Sequence, residues 1–343
     1  MSDPFVTVVV LCRDEERSIG RCLDSVLASD YPRARMEVLV VDGMSTDGTR
    51  AVVEEYARRY DCIRALANPK RTIPAGMNLA FAHARGVLVL KMDAHSDCPP
   101  NYISECVRHS LASGADNVGG VARIASAAET PTARAIACVL AHPFGSGTAY
   151  VKVGARTPRW ADTALFGCYK REVFERIGPW NEALAGSSDL DFNARLRAAG
   201  GRILLVPDIV VRYHADGDLR SFWRHNFADG VWATYVLKFR SRGWSWRHWV
   251  PLGFVTSLAA LGVVSVVWRQ ARGLLAGAVA LYLLVTAAAS LHVAIRERDP
   301  RLAPAAFLAF AIRHLAHGLG AAWGLVLLGL PGVRWQGRRG RYA

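Results

Sequence analysis

The chain is poor in several things, and each shortage removes a class. No Cys-x-x-Cys pair occurs, and the seven cysteines (Cys12, Cys22, Cys62, Cys98, Cys106, Cys138 and Cys168) are odd in number. That pattern argues against a disulfide frame and a zinc site and reads as reduced thiols in a cytosolic domain. Neither a Gly-x-x-x-x-Gly-Lys-Ser/Thr loop nor a Gly-x-Gly-x-x-Gly fingerprint is present, so neither a P-loop nucleoside triphosphatase nor a dinucleotide enzyme is supported. There are no internal repeats and no low-complexity linker. Lysine disappears from the last part of the chain. From Trp244 to Ala343 there are eleven Arg, no Lys and two acids, a balance of +9, whereas the first 243 residues hold 31 basic and 27 acidic residues, a balance of +4. The basic excess therefore lies in the apolar half, as expected of Arg flanking membrane segments and not of a nucleic-acid surface. No leader is evident: Met1 to Pro4 runs straight into a strand-like segment, which places the first half on the cytoplasmic side as an expectation.

What is present, at 343 residues, is room for one domain of ordinary-to-large size and something smaller. Phe5 to Leu11 is continuous and β-branched, like a buried parallel strand. Helical spacing follows at Ser18–Ala28, then a strand at Met36–Val41, a helix at Thr49–Tyr60, a short strand at Ile63–Leu66, a helix at Ile73–Ala84, a strand at Gly86–Leu90 and a helix at Pro100–Ser113. This alternation predicts a parallel sheet with crossover helices. Asn117 to Pro158, with strand-like and Gly/Ser-rich pieces, is expected to form acceptor-facing loops. Leu165–Lys170, Ile203–Val206 and Ile209–Tyr213 read as strands, and Glu172–Ile177 and Asp189–Ala199 as helices. Leu219–Phe239, rich in aromatic and basic residues, predicts one or two amphipathic helices on a membrane surface. His248–Trp268 and Gly273–Ile295 carry no formal charge and are each long enough to cross a bilayer. Leu302–Val333 is apolar except for Arg313, His314 and His317, and reads either as a third span or as a surface piece followed by a re-entrant one. The expected division is a domain over 1–215, interfacial helices over 216–247 and a membrane domain over 248–333.

Three acidic motifs stand out. Asp42-Gly-Met-Ser-Thr-Asp-Gly-Thr49 closes the second strand, Asp93-Ala94-His95 closes the strand at Gly86–Leu90, and Ser187-Ser-Asp189-Leu-Asp191 opens a helix. Carboxylates at strand ends gather on the sheet edge where α/β folds bind ligands. Asp93 offers an oxygen and His95 an imidazole to a divalent cation, with a solvated turn as the plain alternative. Asp189, at a helix start that keeps a carboxylate ionised, can take a proton from an attacking hydroxyl, or can simply complement the helix dipole. Asp42 is placed to bond a base or ribose, with Arg13 and Glu15 flanking it, while Asp47 and Thr49 read as capping residues.

The ordered set resembles a family 2 glycosyltransferase with a GT-A fold, and within it the succinoglycan-type (ExoA-like) membrane-associated glycosyltransferases. The matching pieces are Val8-Val-Val-Leu-Cys-Arg13-Asp-Glu15-Glu, Val40-Val-Asp42-Gly-Met-Ser-Thr-Asp-Gly-Thr, Ile73-Pro-Ala-Gly76-Met-Asn78, Met92-Asp93-Ala-His95, the stretch from Phe166-Gly167 to Trp180-Asn-Glu182, and Ser187-Ser-Asp189-Leu-Asp-Phe-Asn-Ala-Arg195-Leu. They cover roughly residues 5 to 215, and the apolar tail with Ile312-Arg313-His314 extends the likeness. The resemblance implies a Rossmann-like mixed sheet followed by transmembrane helices. It also implies an inverting, metal-dependent hexosyl transfer, with Mn2+ or Mg2+, from a nucleotide-sugar such as a UDP-sugar to a lipid-linked acceptor at the cytoplasmic membrane. Arg13, Glu15, Asp42, Gly76, Asn78 and Asp93 would hold the donor. Asp93, His95 and His214 would serve the metal, and Asp189 would be the base. Gly167, Trp180, Asp191, Arg224 and Arg313 would face the acceptor.

Two positions depart from the family's pattern: His95 replaces the usual second Asp of the metal motif, and Ser188 the usual Glu before the base. The Gln-x-x-Arg-Trp of processive synthases is missing from Phe222–Trp232, which implies addition of one sugar and not repetitive polymer synthesis. A polyprenyl-phosphate sugar synthase is the alternative within the class, and a non-catalytic nucleotide-binding membrane scaffold the alternative outside it.

Overall fold

A computed structural model describes residues 3–184, 186–239 and 249–330. The chain divides into two compact units. Among the described residues the first comprises residues 3–123 and Gly154–Tyr213, and the second Ile124–Val153 and residues 214–330.

The first unit is built on β1 (Val6–Cys12), α1 (Ile19–Leu27), β2 (Met36–Asp42), α2 (Thr49–Arg59), β3 (Ile63–Ala67), α3 (Ile73–His83), β4 (Leu88–Asp93), α4 (Tyr102–Ser113) and β5 (Asn117–Ala125). Every residue of β1 and β2 is buried. A strand covered on both faces has no polar side to alternate with, which is why these runs are almost purely apolar. The pairs β1/β2, β1/β4 and β2/β3 are parallel. Amphipathic helices close them, such as α1, which buries Ile19, Cys22, Leu23, Val26 and Leu27. After the short α5 (Pro131–Ala141), α6 (Pro143–Ser146) and α7 (Tyr150–Val153) come β6 (Arg159–Trp160), β7 (Leu165–Lys170), α8 (Arg171–Ile177), α9 (Ser188–Ala198) and β8 (Ile203–His214). The sheet order is β3-β2-β1-β4-β7-β5-β8-β6. Because β7 runs antiparallel to both β4 and β5, the sheet is mixed.

Two strands differ from the sequence reading. The Asn117–Pro158 stretch is not a set of loops: it contains β5 and three helices. Gly119-Gly120, which resembles a loop signal, is a place where neighbouring backbones approach. A Cβ on Gly120 would lie 1.9 Å from the Ile209 carbonyl oxygen, and one on Gly119 2.4 Å from that of Leu165. The pieces at 203–206 and 209–213 form one strand, β8, through Pro207. Its partner β6 pairs only with Leu204 and Leu205, so the missing proline N–H breaks no β6 ladder bond.

In the second unit α5 is capped by Thr130, whose side chain accepts from the Ala133 amide, with Pro131 in the first turn. It shares an apolar core with α10 (Leu219–Tyr235), α12 (Arg269–Arg296) and α13 (Leu302–Leu328), including Ile136, Leu140, Phe222, Val293, Ala306 and Phe310. With α11 (Trp249–Val267), α12 and α13 are three helices long and apolar enough to cross a membrane. Large apolar side chains face outward on them: Val266 and Leu284 are 74% and 68% exposed. Leu302–Leu328 is one continuous helix, so the third apolar segment has the form of a span, about 40 Å long at 1.5 Å per residue. Residues 331–333 lie outside the described residues. The segment expected to lie on a membrane surface is packed more deeply than that reading implied. α10 buries Phe222, Asn226 and Gly230–Tyr235. A Cβ on Gly230 would lie 2.1 Å from His317 O, and one on Gly320 2.1 Å from Phe227 O, so α10 and α13 meet backbone to backbone. Residues 240–247 of the expected interfacial segment lie outside the described residues.

Candidate active site

The carboxyl ends of β1, β2 and β4 lie side by side: Cys12 pairs with Asp42, and Leu11 with Asp93. The strand register thus sets both acids at one edge. The β1–α1 loop is tied to the loop after β2. Asp14, at φ 54°, donates its amide to Ser45 Oγ (2.9 Å) and accepts from the Thr46 amide (2.7 Å). The Glu15 amide donates to Thr49 Oγ1 (2.7 Å) and the Glu16 amide to Asp47 (3.2 Å). Asp47 also accepts from the Thr49 amide and hydroxyl. Desolvation pushes its pKa up, but these bonds outweigh that and hold it below the usual carboxylate range. Asp47 and Thr49 are structural, as the motif implied.

Asp42 is 5% exposed, accepts from the Ser45 amide and hydroxyl, and stands 3.6 Å from the Arg50 guanidinium. It lines a cleft of about 140 Å³ with Arg50, Val53, Glu54 and Ala65–Ala67. Gly76 lies over this edge, where a Cβ would come within 3.0 Å of Leu11 and 3.2 Å of Asn68. Arg13 is held only loosely, 3.9 Å from Asp14, and its Nε is enclosed without a hydrogen-bond partner.

Asp93 ends β4. Its backbone carbonyl accepts from Ser96, while its Oδ1 is enclosed and has no hydrogen-bond partner. His95 Nδ1 lies 3.3 Å from Glu15 Oε1, so Glu15 meets the imidazole. This bond, against desolvation and with help from Asp93, raises the His95 pKa. Among the described residues, no three His, Cys, Asp or Glu side chains form a cation cage of their own. The orphaned Oδ1 of Asp93 does fit the sparser set of Mg2+ or Mn2+ sites, where one or two carboxylates are completed by phosphate oxygens. The Glu15–His95 bond resembles the carboxylate–histidine contact that orients a ligating ring. His214, the third expected metal residue, is exposed at the end of β8 and belongs to the second unit.

Asp189 lies in the first turn of α9, and its Oδ2 receives a 2.7 Å bond from Lys91 Nζ. Oδ1 is enclosed and has no partner. Lys91 is on β4 with 8% of its side chain exposed. Burial works against its charge, but Asp189 and Asp93 more than offset this, so its pKa is raised. The sequence reading missed Lys91. The signal was a lone charge among Leu88-Val-Leu and Met92, since a lysine is rarely buried unless paired.

Several expected ligand contacts have structural partners instead. The Asn78 amide accepts from the Trp180 amide (2.8 Å) and donates to Trp180 O and to Glu182 (3.0 Å each), pinning the segment before α9. Trp180 is 1% exposed and stacks on Phe192 at 4.3 Å, so it belongs to the core and not to an acceptor surface. Asp191 is 3% exposed and accepts from Arg195 (3.0 Å), whose other nitrogens bond Ile177 O and Pro179 O. Gly167 is buried, and a Cβ there would lie 2.4 Å from Asn117 Oδ1 and against the Tyr169 ring. In the second unit Arg224 is exposed on α10. Arg313 donates to Gly145 O (3.1 Å) and to Asn226 Oδ1, and stands 3.9 Å from Asp229. Expected to meet acceptor phosphate, it is engaged within its own unit.

Comparison with known proteins agrees with this architecture. The family model described as Glycosyl transferase family 2 matches residues 7–178. The succinoglycan biosynthesis protein ExoA of Rhizobium meliloti (strain 1021) is 27% identical over 318 residues, covering 91% of this chain and 92% of that protein. A dolichyl N-acetyl-alpha-D-glucosaminyl phosphate 3-beta-D-2,3-diacetamido-2,3-dideoxy-beta-D-glucuronosyltransferase of Methanococcus voltae is 22% identical, covering 86% and 89%. Among solved structures, the mannosyltransferase PcManGT from Pyrobaculum calidifontis, in complex with GDP-Man and Mn2+, superposes with a TM-score of 0.63 at 22% identity, covering 94% of this chain and 88% of that one. This likeness identifies the mixed sheet as a GT-A fold.

Proposed function

The chain belongs to glycosyl transferase family 2, and we propose that it moves one sugar, with inversion, from a nucleotide-sugar to a polyprenyl-diphosphate-linked saccharide at the cytoplasmic membrane. The observation that carries this reading is the grouping of Asp42 and Asp93 at one edge of the sheet, together with Asp189 held through Oδ2 and without a hydrogen-bond partner at Oδ1. The donor, a UDP-sugar or GDP-sugar, would lay its nucleoside against Asp42 with Arg13 and Gly76 near, and its diphosphate toward Asp93. A divalent cation, Mn2+ or Mg2+, held by Asp93 with His95 beside it, would neutralise the departing diphosphate as a Lewis acid. The acceptor hydroxyl attacks the anomeric carbon, and the bond from that carbon to the diphosphate oxygen breaks. The hydroxyl proton passes to the Asp189 carboxylate, turning an α-linked donor into a β-linked product.

The membrane setting is supported by the three long apolar helices, read as spans with the catalytic unit in the cytoplasm. A lipid-linked acceptor agrees with the Methanococcus relative, named for action on a dolichyl phosphate-linked sugar, and polysaccharide assembly agrees with the Rhizobium relative, named for succinoglycan biosynthesis. A hydroxyl acceptor, unlike a lipid phosphate, needs a base, and the held Asp189 carboxylate therefore favours it over a polyprenyl-phosphate sugar synthase. The test is to supply the full-length protein in detergent with UDP- and GDP-sugars and, in separate reactions, polyprenyl-diphosphate saccharides or polyprenyl phosphate, reading released nucleoside diphosphate and the anomeric configuration of the product. A β-linked glycolipid is expected; transfer to polyprenyl phosphate alone would replace this reading with the alternative.

A further inference from the structure

Lys91 has no role in the reaction as derived so far, yet its position is costly. The strand around it is apolar and buried, and its β1 neighbour in the register is Val9. A buried ion pair contributes little to stability compared with an apolar residue of similar volume, so stability alone does not account for an ammonium at this point. Side chains two apart on a strand share a face, which puts Lys91 and Asp93 on the same side of β4. The lysine is therefore flanked by two carboxylates, those of Asp93 and Asp189. Each has one oxygen that is enclosed and without a hydrogen-bond partner. Two such carboxylates are chemically alike, and either can bind a hard cation.

We propose that Lys91 is the positioning residue that divides their labour: by binding Asp189 Oδ2 it keeps this carboxylate out of the cation's coordination shell and fixes its orientation as the base, leaving Asp93 to the metal. The proposal rests on Asp189 being the base. It accounts for a half-exposed acid, 46% accessible, being held by a buried lysine when water could solvate it instead.

The test uses the full chain in detergent. Lys91→Met is expected to lower kcat about 100-fold, the cost of a misplaced catalytic group, while KM for the sugar donor and the affinity for UDP or GDP with Mn2+ stay within about threefold. Mn2+ binding to the nucleotide-free protein, read by calorimetry, is expected to tighten about tenfold as Asp189 joins Asp93 as a ligand. Lys91→Arg restores part of the rate, since guanidinium also binds a carboxylate. If Lys91 acts only through Asp189, the double variant Lys91→Met/Asp189→Asn equals Asp189→Asn in both rate and Mn2+ affinity. An unchanged kcat in Lys91→Met, or a double variant well below Asp189→Asn, overturns the proposal and leaves the base assignment standing. A native rate in Asp189→Asn alone overturns the base assignment itself. Should Lys91→Met not accumulate as folded protein, Lys91→Arg carries the test: a lowered kcat at native nucleotide affinity supports the proposal, and a native kcat refutes it.

Discussion

Glu37→Gln is the perturbation whose effect on the first unit can be worked out most fully. Glu37 lies on β2 with a side chain that is 0% exposed, opposite Thr7 in the β1 register. Its carboxylate accepts from Thr7 Oγ1 (2.8 Å), the Arg85 amide (2.6 Å), Arg85 Nε (2.9 Å) and Arg64 Nη1 (3.2 Å). Desolvation pushes its pKa up, but the Arg85 amide, Thr7 and the Arg85 guanidinium outweigh that and hold it below the usual range. The amide of Gln keeps one acceptor and turns two donors toward a donor-lined pocket. A hydrogen bond to a buried charge is worth about 1.5–3 kcal/mol. Arg64 and Arg85 are 39% and 61% exposed, so solvent screening leaves little from their ion pairs beyond the buried Thr7 and amide bonds. The expected loss is about 2–4 kcal/mol, which speeds hydrogen exchange of the core amides of β1 and β2 by about 30- to 1,000-fold. The folded pKa is depressed, so this stability is present above the unfolded carboxylate pKa and is lost as pH falls through the folded value. The native protein and the variant should therefore differ most at pH 7, and the gap should narrow as pH falls below the unfolded carboxylate pKa. Equal exchange rates at pH 7, or a gap that does not narrow as pH falls below the unfolded carboxylate pKa, would refute the reasoning.

Other outcomes follow from the same structure. Gly320→Val should shorten the thermal half-life in detergent, by a destabilisation of about 1–3 kcal/mol for overpacking, because its side chain would enter Phe227 O; an unchanged half-life would refute the close α10/α13 packing. His225, bonded to Asp216 (3.0 Å) and near Asp229, has a raised pKa, Asp229 contributing most. Its contribution is complete below about pH 6.5 and is lost as pH rises through the folded value. The detergent half-life should therefore fall on going to alkaline pH in the native protein and not in His225→Gln. Asp42→Ala should weaken UDP or GDP binding about tenfold by calorimetry without changing the metal requirement, the scale expected for one charge-assisted hydrogen bond. A chain ended at residue 239 should aggregate, because it leaves Ile136, Leu140 and Phe222 without α12 and α13; a monodisperse soluble fragment would contradict the second unit as described.

The strands and helices of the first half were legible because a parallel sheet buries both faces of each strand, and the apolar runs end within two positions of the observed boundaries except in β4, which continues three residues past Leu90 through Lys91 to Asp93. The acids at the strand ends were legible for the same reason, since the register brings Asp42 and Asp93 to one edge. Long-range partners were not. Asn78 is bound by Trp180, far along the chain, and nothing local in sequence distinguishes such an amide from one open to a ligand, whereas the Asp191–Arg195 bond is an i,i+4 helix pair that the sequence displays. Gly119-Gly120 misled because a close backbone approach and a loop use the same residue. Residues 131–141 were missed because many of the apolar side chains they pack against, in α10, α12 and α13, lie far along the chain.

The division of roles between Asp189 and Asp93 is tested most directly by parallel measurement of transfer and of donor binding in Asp189→Asn. The account predicts loss of transfer by a factor of about 10²–10⁴, the usual worth of a general base, while nucleoside diphosphate binding with Mn2+ remains native and Asp93→Ala loses it. Transfer at the native rate in Asp189→Asn, or loss of nucleotide binding there with retention in Asp93→Ala, would contradict it.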